Sequence, residues 1–397
     1  MNGKILFFST ICLILLSVNV QASTIKRMYE VSLPVVSQES QIRRAAFEQA
    51  LIEVSVRVSG TSLAPTQMNL KQATRMVRQY RYQTMTQQEI DAHMKQTRTL
   101  VEPRYKLWIQ FDDGKIKQLL RENSLPIWGH QRPDVLVWLA VKDGKNRYLL
   151  KKSDRSLIKD AVISQARKRG LPIVWPEFDA MDQKHVSFID VWGKFWEPVK
   201  QASKRYSVDA IVLGQMNWAN GSWQVDWSLL LEDKTTAWQL TALDLGLLMS
   251  SGIGVATDHI SSRFAVFADS SNDAELLVRI SNLGNVKKYA EASHYLASLA
   301  PVKHVFAKEV NQDYIDFFVE LSGDESDLKR IIALGKVLKP DTQPVVLPVK
   351  PSVMPTAGSS TEVPAADKSS PAVSGANPLP IPAMIKQPHI LRYRMNG

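Results

Sequence analysis

From Ala210 to Leu231 the pattern of apolar and polar positions spells a strand, a two-residue turn and a second strand. The apolar run Ala210 to Met216 leads to Asn220-Gly221, a dipeptide suited to the two positive-φ positions of a type I′ turn. Trp223, Val225, Trp227, Leu229 and Leu231 then alternate on one face. With Asn220 and Gly221 as the loop, Trp218 faces Trp223, Met216 faces Val225, Gly214 faces Trp227 and Val212 faces Leu229. Gly214, which has no side chain, leaves room for an indole.

The same periodicities divide the rest of the chain. Tyr29, Val31, Leu33 and Val35 alternate as a strand. A helix capped by Ser37 or Ser40 carries Ile42, Ala46, Ala50, Val54 and Val58 before Gly60 stops it. A second helix is expected from near Pro65, carrying Met68, Ala73, Met76, Val77 and Tyr80. Tyr105, Leu107, Ile109 and Phe111 then form a strand, and Asp112 or Asp113 caps a helix holding Ile116, Leu119 and Leu120. Between Leu125 and Pro133 two prolines and a glycine forbid regular structure, while Trp128 gives the crossing something to bury.

After this junction, Asp134 to Val141 is apolar almost throughout, the mark of a strand buried on both faces. A helix from about Asp154 ends at Lys168-Arg169-Gly170. Another runs from near Trp192 to Tyr206, and the hairpin is followed by a third antiparallel strand from Thr236 to Leu245 and a closing helix from Leu248 to Phe267. Past a polar break, Glu275 to Leu334 reads strand, helix, strand, strand, helix, the order of a ferredoxin-like sandwich. Eleven of the chain's twenty prolines then fall between Pro340 and Pro388, a composition that builds no core.

The expected fold class is therefore α+β, with antiparallel or mixed sheets covered by helices. The expected units are a signal peptide at 1–22, an N-terminal α+β domain at 23–128 and a central α/β sandwich at 133–269. A ferredoxin-like βαββα unit at 273–338 and a disordered proline-rich tail at 339–397 complete the chain.

Composition adds the compartment. Lys4, an apolar run from Ile5 to Val18 and the small-x-small sequence Val20-Gln21-Ala22 predict a cleaved secretory signal, with an uncleaved anchor as the rival reading. The single cysteine, Cys12, lies inside that run without the small preceding residue a lipid-attachment site needs, so the mature chain holds no thiol and is not lipidated. A periplasmic location follows, with no transmembrane span after cleavage. The net charge of +10 favours anionic surfaces, lipid head groups or wall polymer, over nucleic acid in an exported protein, and leaves peripheral membrane association open.

Candidate chemistry is sparse. The seven histidines stand at 93, 130, 185, 259, 294, 304 and 389, not in close metal-ligand pairs. Ser250 to Val255 has the glycines of a phosphate loop without its lysine, and is expected to open or interrupt the closing helix. Asp258-His259 has no nucleophile assigned to it. The ten tryptophans, all between Trp108 and Trp238, read mainly as core, and Lys151-Lys152 and Lys168-Arg169 as solvated ends. No catalytic, cofactor-binding or metal residue is assigned, and no cofactor is expected.

Three segments carry a resemblance: Arg43 to Gly60 (RRAAFEQALIEVSVRVSG), Arg104 to Gly129 (RYKLWIQFDDGKIKQLLRENSLPIWG) and Arg132 to Val141 (RPDVLVWLAV). Together they resemble exported Gram-negative proteins grouped as domain of unknown function 2066 (DUF2066), over most of Thr24 to Ala268. Tyr206 to Met216 (YSVDAIVLGQM) resembles at fold level the amino-terminal domain of TolB, the curli secretion protein and activators of penicillin-binding proteins, and the first helix that of flagellar assembly protein T. These resemblances imply an envelope adaptor or assembly factor that binds envelope proteins or cell-wall polymer without catalysis. The alternative is a carbohydrate-binding protein or an enzyme whose site is assembled from scattered residues.

Overall fold

The structure, a computed structural model, describes residues 27–97, 99–267, 274–341 and 390–396. The expected signal segment and the proline-rich stretch 342–389 lie outside the described residues. In chain order the elements are β1 (Glu30–Val35), α1 (Ser40–Ser59), α2 (Ala73–Met76), β2 (Val77–Thr84), α3 (Gln87–Thr97), β3 (Tyr105–Phe111) and α4 (Asp113–Glu122). There follow β4 (Val135–Asp143), β5 (Asn146–Leu149), α5 (Leu157–Arg169), β6 (Ile173–Val174), α6 (Ala180–Gln183), α7 (Phe188–Trp192) and α8 (Trp196–Ser203). Next come β7 (Ala210–Ala219), β8 (Ser222–Leu231), β9 (Lys234–Ala242) and α9 (Leu245–Phe264). The last are β10 (Glu275–Ser281), α10 (Val286–Ser298), β11 (Val302–Val310), β12 (Tyr314–Leu321), α11 (Glu325–Leu334), β13 (Leu338–Pro340) and β14 (Ile390–Met395). The fold is α+β.

The first sheet is antiparallel in the order β1-β3-β2. Its core is the α1 stripe Ala46, Phe47, Ala50, Leu51, Val54 and Val58 against Leu107, Ile109 and Phe111, closed by Ile116, Leu119 and Leu120 of α4. Asp112 caps α4 by accepting from the Lys115 amide. The continuous helix expected near Pro65 is a correction: the stretch makes two single 3-10 turns, Ala64–Thr66 and Leu70–Gln72, and one α-helical turn, Ala73–Met76, while Val77 and Tyr80 belong to β2, which pairs with β3. Val77, Tyr80 and Tyr82 are β-formers, and the open edge of β3 supplies the hydrogen bonds that a helix would otherwise supply itself.

The central sheet runs β5-β4-β7-β8-β9, with β6 beside β4. Helices cover both faces. Val135, Val137, Leu139 and Val141 of β4 pack with α5 and α9, whereas Leu136, Trp138 and Ala140 pack with α7 and α8, which is why the strand is apolar on both sides. The hairpin has the expected register, Gly214 opposite Trp227 and Trp218 opposite Trp223, and Asn220 and Gly221 both have positive φ.

Trp227 is fully buried between two glycines. A Cβ at Gly214 would come within 2.9 Å of its ring and 2.4 Å of Leu139 Cδ1, and one at Gly252 on α9 within 2.4 Å of the indole nitrogen. Gly214→Val should therefore lower stability in urea titration by about 1–3 kcal/mol, although valine suits strands better than glycine. Trp227→Ala should restore only part of that loss, because Leu139 stays in the way. A Gly214→Val variant as stable as the parent would overturn this packing.

The third sheet has the order β11-β12-β10-β14-β13. Strands β10, β11 and β12 with helices α10 and α11 make the expected βαββα succession. Strand β13, which follows α11, does not pair with β10. Instead β14 lies between them, parallel to β10 and antiparallel to β13. This corrects the reading of 339–397 as a tail that adds nothing to a core. Leu391, Tyr393 and Met395 alternate inward and are buried with Val278, Ile280 and Phe317.

Candidate functional site

Three buried arginines gather where the ends of α1 and α5 meet. The last carbonyls of a helix have no partner within it and carry its negative dipole end, so two C-termini at one place attract cations. Arg132, from the junction, donates from Nε to the Gly129 carbonyl (2.9 Å). Its Nη1 donates to Arg169 (2.9 Å) and Gly170 (3.0 Å), and its Nη2 to Arg57 (2.7 Å) and Trp128 (2.9 Å). Its guanidinium stacks on the Trp128 ring at 3.9 Å. Burial, and then the neighbouring Arg57, hold it well below the ordinary arginine value.

Arg57 donates to the carbonyls of Lys168 (3.0 Å), Met28 (3.2 Å) and Glu30 (2.8 Å) and pairs with Glu53. Arg169 donates to the Gly60 carbonyl and to Asp258, each at 2.6 Å. Gly60 ends α1 at φ 79°, and a Cβ there would lie 2.4 Å from Ser261 Cβ of α9, so the two elements meet at a residue that must stay glycine. This latch fastens the first sheet to the central one.

Beside the latch opens a cleft of about 980 Å³. Its floor is Met28, Ile127 and Trp128. One wall is α4, which presents Lys117 and Arg121 one turn apart, and the other is α10 with the start of β11, presenting His294, Lys303 and His304. His130 stands at the end of the junction, its ring edge-on to Tyr29 at 6.5 Å. Burial, followed by the charge of Asp113, pushes the Tyr29 phenol up from its ordinary value. Three cations and three histidines thus line the cleft with one carboxylate, Glu291, and Asp113 at its edge lies 3.8 Å from the Lys117 ammonium. Convergent positive charge between low-dielectric walls concentrates anions.

The residues weighed in the sequence end up elsewhere. Ser250 to Val255 is the interior of α9, which Asp244 caps by accepting from the Leu247 amide, so it neither opens nor interrupts that helix. Its glycines let Trp227 and Arg169 approach. Asp258 is occupied with Arg169 and with the Ser62 amide and hydroxyl, while His259 lies against the Trp238 ring. Arg169 is buried, which corrects its reading as a solvated end: the carbonyls of α1 and α9 replace water around it. Lys152 pairs with exposed Glu177. Among the described residues no cluster of three or more His, Cys, Asp or Glu could hold a metal.

What the sequence did not reveal is the meeting of His130, His294 and His304 with Lys117, Arg121 and Lys303. Lys117 and Arg121 are four apart on a helix and Lys303 and His304 are neighbours, but no local pattern joins the two pairs to each other or to His130 and His294.

Residues 22–129 match a family model described as a domain of unknown function (DUF8605). The resemblance to DUF2066 is thereby corrected, since the N-terminal segments that carried it fall inside this different family. No curated protein and no solved structure matches the chain, which leaves the likeness to TolB, the curli secretion protein and the penicillin-binding-protein activators without support. The DUF8605 match contains β1, α4 and Trp128 and stops short of His130 and the whole α10 wall.

Proposed function

We propose that this chain is an exported, non-catalytic adaptor that holds an acidic segment of another envelope protein in the cleft between α4 and α10. The observation that supports this reading is the cleft's charge: Lys117 and Arg121 from α4 and Lys303 from β11 converge on one apolar floor. Such a seat suits carboxylate side chains along an extended peptide, with Trp128 and Met28 beneath them. Export rests on Lys4, the apolar run and Val20-Gln21-Ala22. No helix among the described residues is long and apolar enough to cross a membrane.

The test uses protein recovered from the periplasmic fraction, whose first residue should be Ser23. A fluorescent oligoglutamate peptide titrated against it should bind with an affinity that falls as salt rises. Lys117→Glu combined with Lys303→Glu should weaken binding at least about tenfold, equivalent to ~1.4 kcal/mol, while leaving the melting temperature in place. Equal binding by parent and double variant would remove the cleft from consideration.

A further inference from the structure

We propose that the gap between β10 and β13 is a strand-acceptor site that takes residues Ile390–Met395 from a second copy of this chain as well as from its own, so that copies can join by exchanging β14. The contacts that seat β14 come from the ladder and the core. It pairs with β10 from Leu277↔Ile390 to Ser281↔Arg394 and with β13 from Leu338↔Met395 to Pro340↔Tyr393. Asn282 Nδ2 donates to the Met395 carbonyl at 3.0 Å, and the Asn396 amide donates to that of Val337 at 2.9 Å. Leu391, Tyr393 and Met395 fill the space under α10 and α11. None of these contacts depends on which chain supplies the strand.

The connection is permissive as well. Forty-eight residues, 342–389, separate Asp341 from Ile390, ten of them proline. Covalent linkage places a tethered module at an effective concentration of about millimolar order. A strand from another copy competes when the protein approaches that concentration. Exchange of an identical element is a low-cost route to dimers because it creates no new interface chemistry.

The ladder makes a sharper statement. Pro340 pairs with Tyr393, and the Asp341 amide donates to the Arg392 carbonyl at 3.1 Å, so β13 and β14 are the arms of one antiparallel hairpin. If residues 343–389 are deleted and Thr342 is joined to Ile390, closure within one chain must spend Thr342, Ile390 and Leu391 as the turn, drawing Leu391 out of the core. Between two copies no turn is needed. The joined strands run past each other with Pro340 on Tyr393, Asp341 on Arg392 and Thr342 on Leu391 of the other copy and the two Ile390 residues on the axis, an unbroken register around a twofold axis that keeps Leu338, Leu391, Tyr393 and Met395 on one face.

The experiment compares that direct junction with a variant in which residues 344–389 are replaced by Asn-Gly, which restores a two-residue turn in the same register. By sedimentation equilibrium at micromolar concentration, the direct junction should have twice the chain mass and the Asn-Gly variant one chain mass. A monomeric direct junction overturns the proposal, and so does an Asn-Gly variant that dimerises equally, since its dimer would not come from strand exchange. Should the direct junction not fold, donor- and acceptor-labelled full-length chains are unfolded, mixed and refolded. Energy transfer should appear at near-millimolar protein and fade at least tenfold on refolding at micromolar protein. No transfer at either concentration overturns the proposal.

Discussion

Replacing Arg132 with methionine should lower stability in urea titration by about 3–5 kcal/mol, the scale of breaking a buried charged network. Methionine fills much of the same volume, so the loss comes from hydrogen bonds rather than from a void. Five carbonyls, those of Arg57, Trp128, Gly129, Arg169 and Gly170, accept from this one guanidinium. Each acceptor left buried and unpaired costs roughly 1–3 kcal/mol, less where water can enter. Arg132→Lys should recover only part of the loss, since an ammonium carries three donors and lacks the planar fork. A methionine variant as stable as the parent would show that the two helix ends hold together without the guanidinium.

Ending the chain at Pro388 should abolish the cooperative melting of the third sheet. Leu391, Tyr393 and Met395 are each almost wholly buried, and at about 1.5–3 kcal/mol per side chain their loss is roughly 5–9 kcal/mol. That is comparable to the whole stability of many domains. Strand β13 would also lose β14, its ladder partner among the described residues, and β10 would expose an edge. Calorimetry should therefore show the corresponding transition lost or sharply lowered, with the central sheet's transition retained. A thermogram unchanged by the deletion would mean that the sequence-based expectation of a dispensable tail was right and that β14 adds nothing.

The two experiments probe what was least legible in the sequence. The hairpin could be read to the residue because its signals are local: Asn220-Gly221 specifies the turn, and Gly214 can face only a large neighbour. The doubly buried strand β4 was equally plain, since no soluble exposed face tolerates Val135 to Val141. Strand β2 was misread because Met68, Ala73, Met76 and Tyr80 also fit a helical spacing, and the edge of β3 that decides the matter is about thirty residues away. Strand β14 is six residues long and its parallel partner β10 lies more than a hundred residues upstream, so no window contained both. The latch and the cleft failed for a related reason: Arg132 is satisfied by backbone carbonyls, which every sequence has. The cleft's cations are set by how three elements pack, and no short motif records that.

Because β13 and β14 are hydrogen-bonded arms, the stretch between Asp341 and Ile390 is anchored at both ends rather than at one. This changes what it can touch. A one-ended segment of 48 residues could extend about 160 Å from its anchor at ~3.3–3.6 Å per residue, whereas one returning to its starting point reaches half as far, about 80 Å. A single proteolytic cut within it would not release a fragment at once, since the piece beginning after the cut stays held by the ladder and by Leu391, Tyr393 and Met395. Nicking would convert a folding unit of one chain into a complex of two, and its persistence would thereafter depend on dilution.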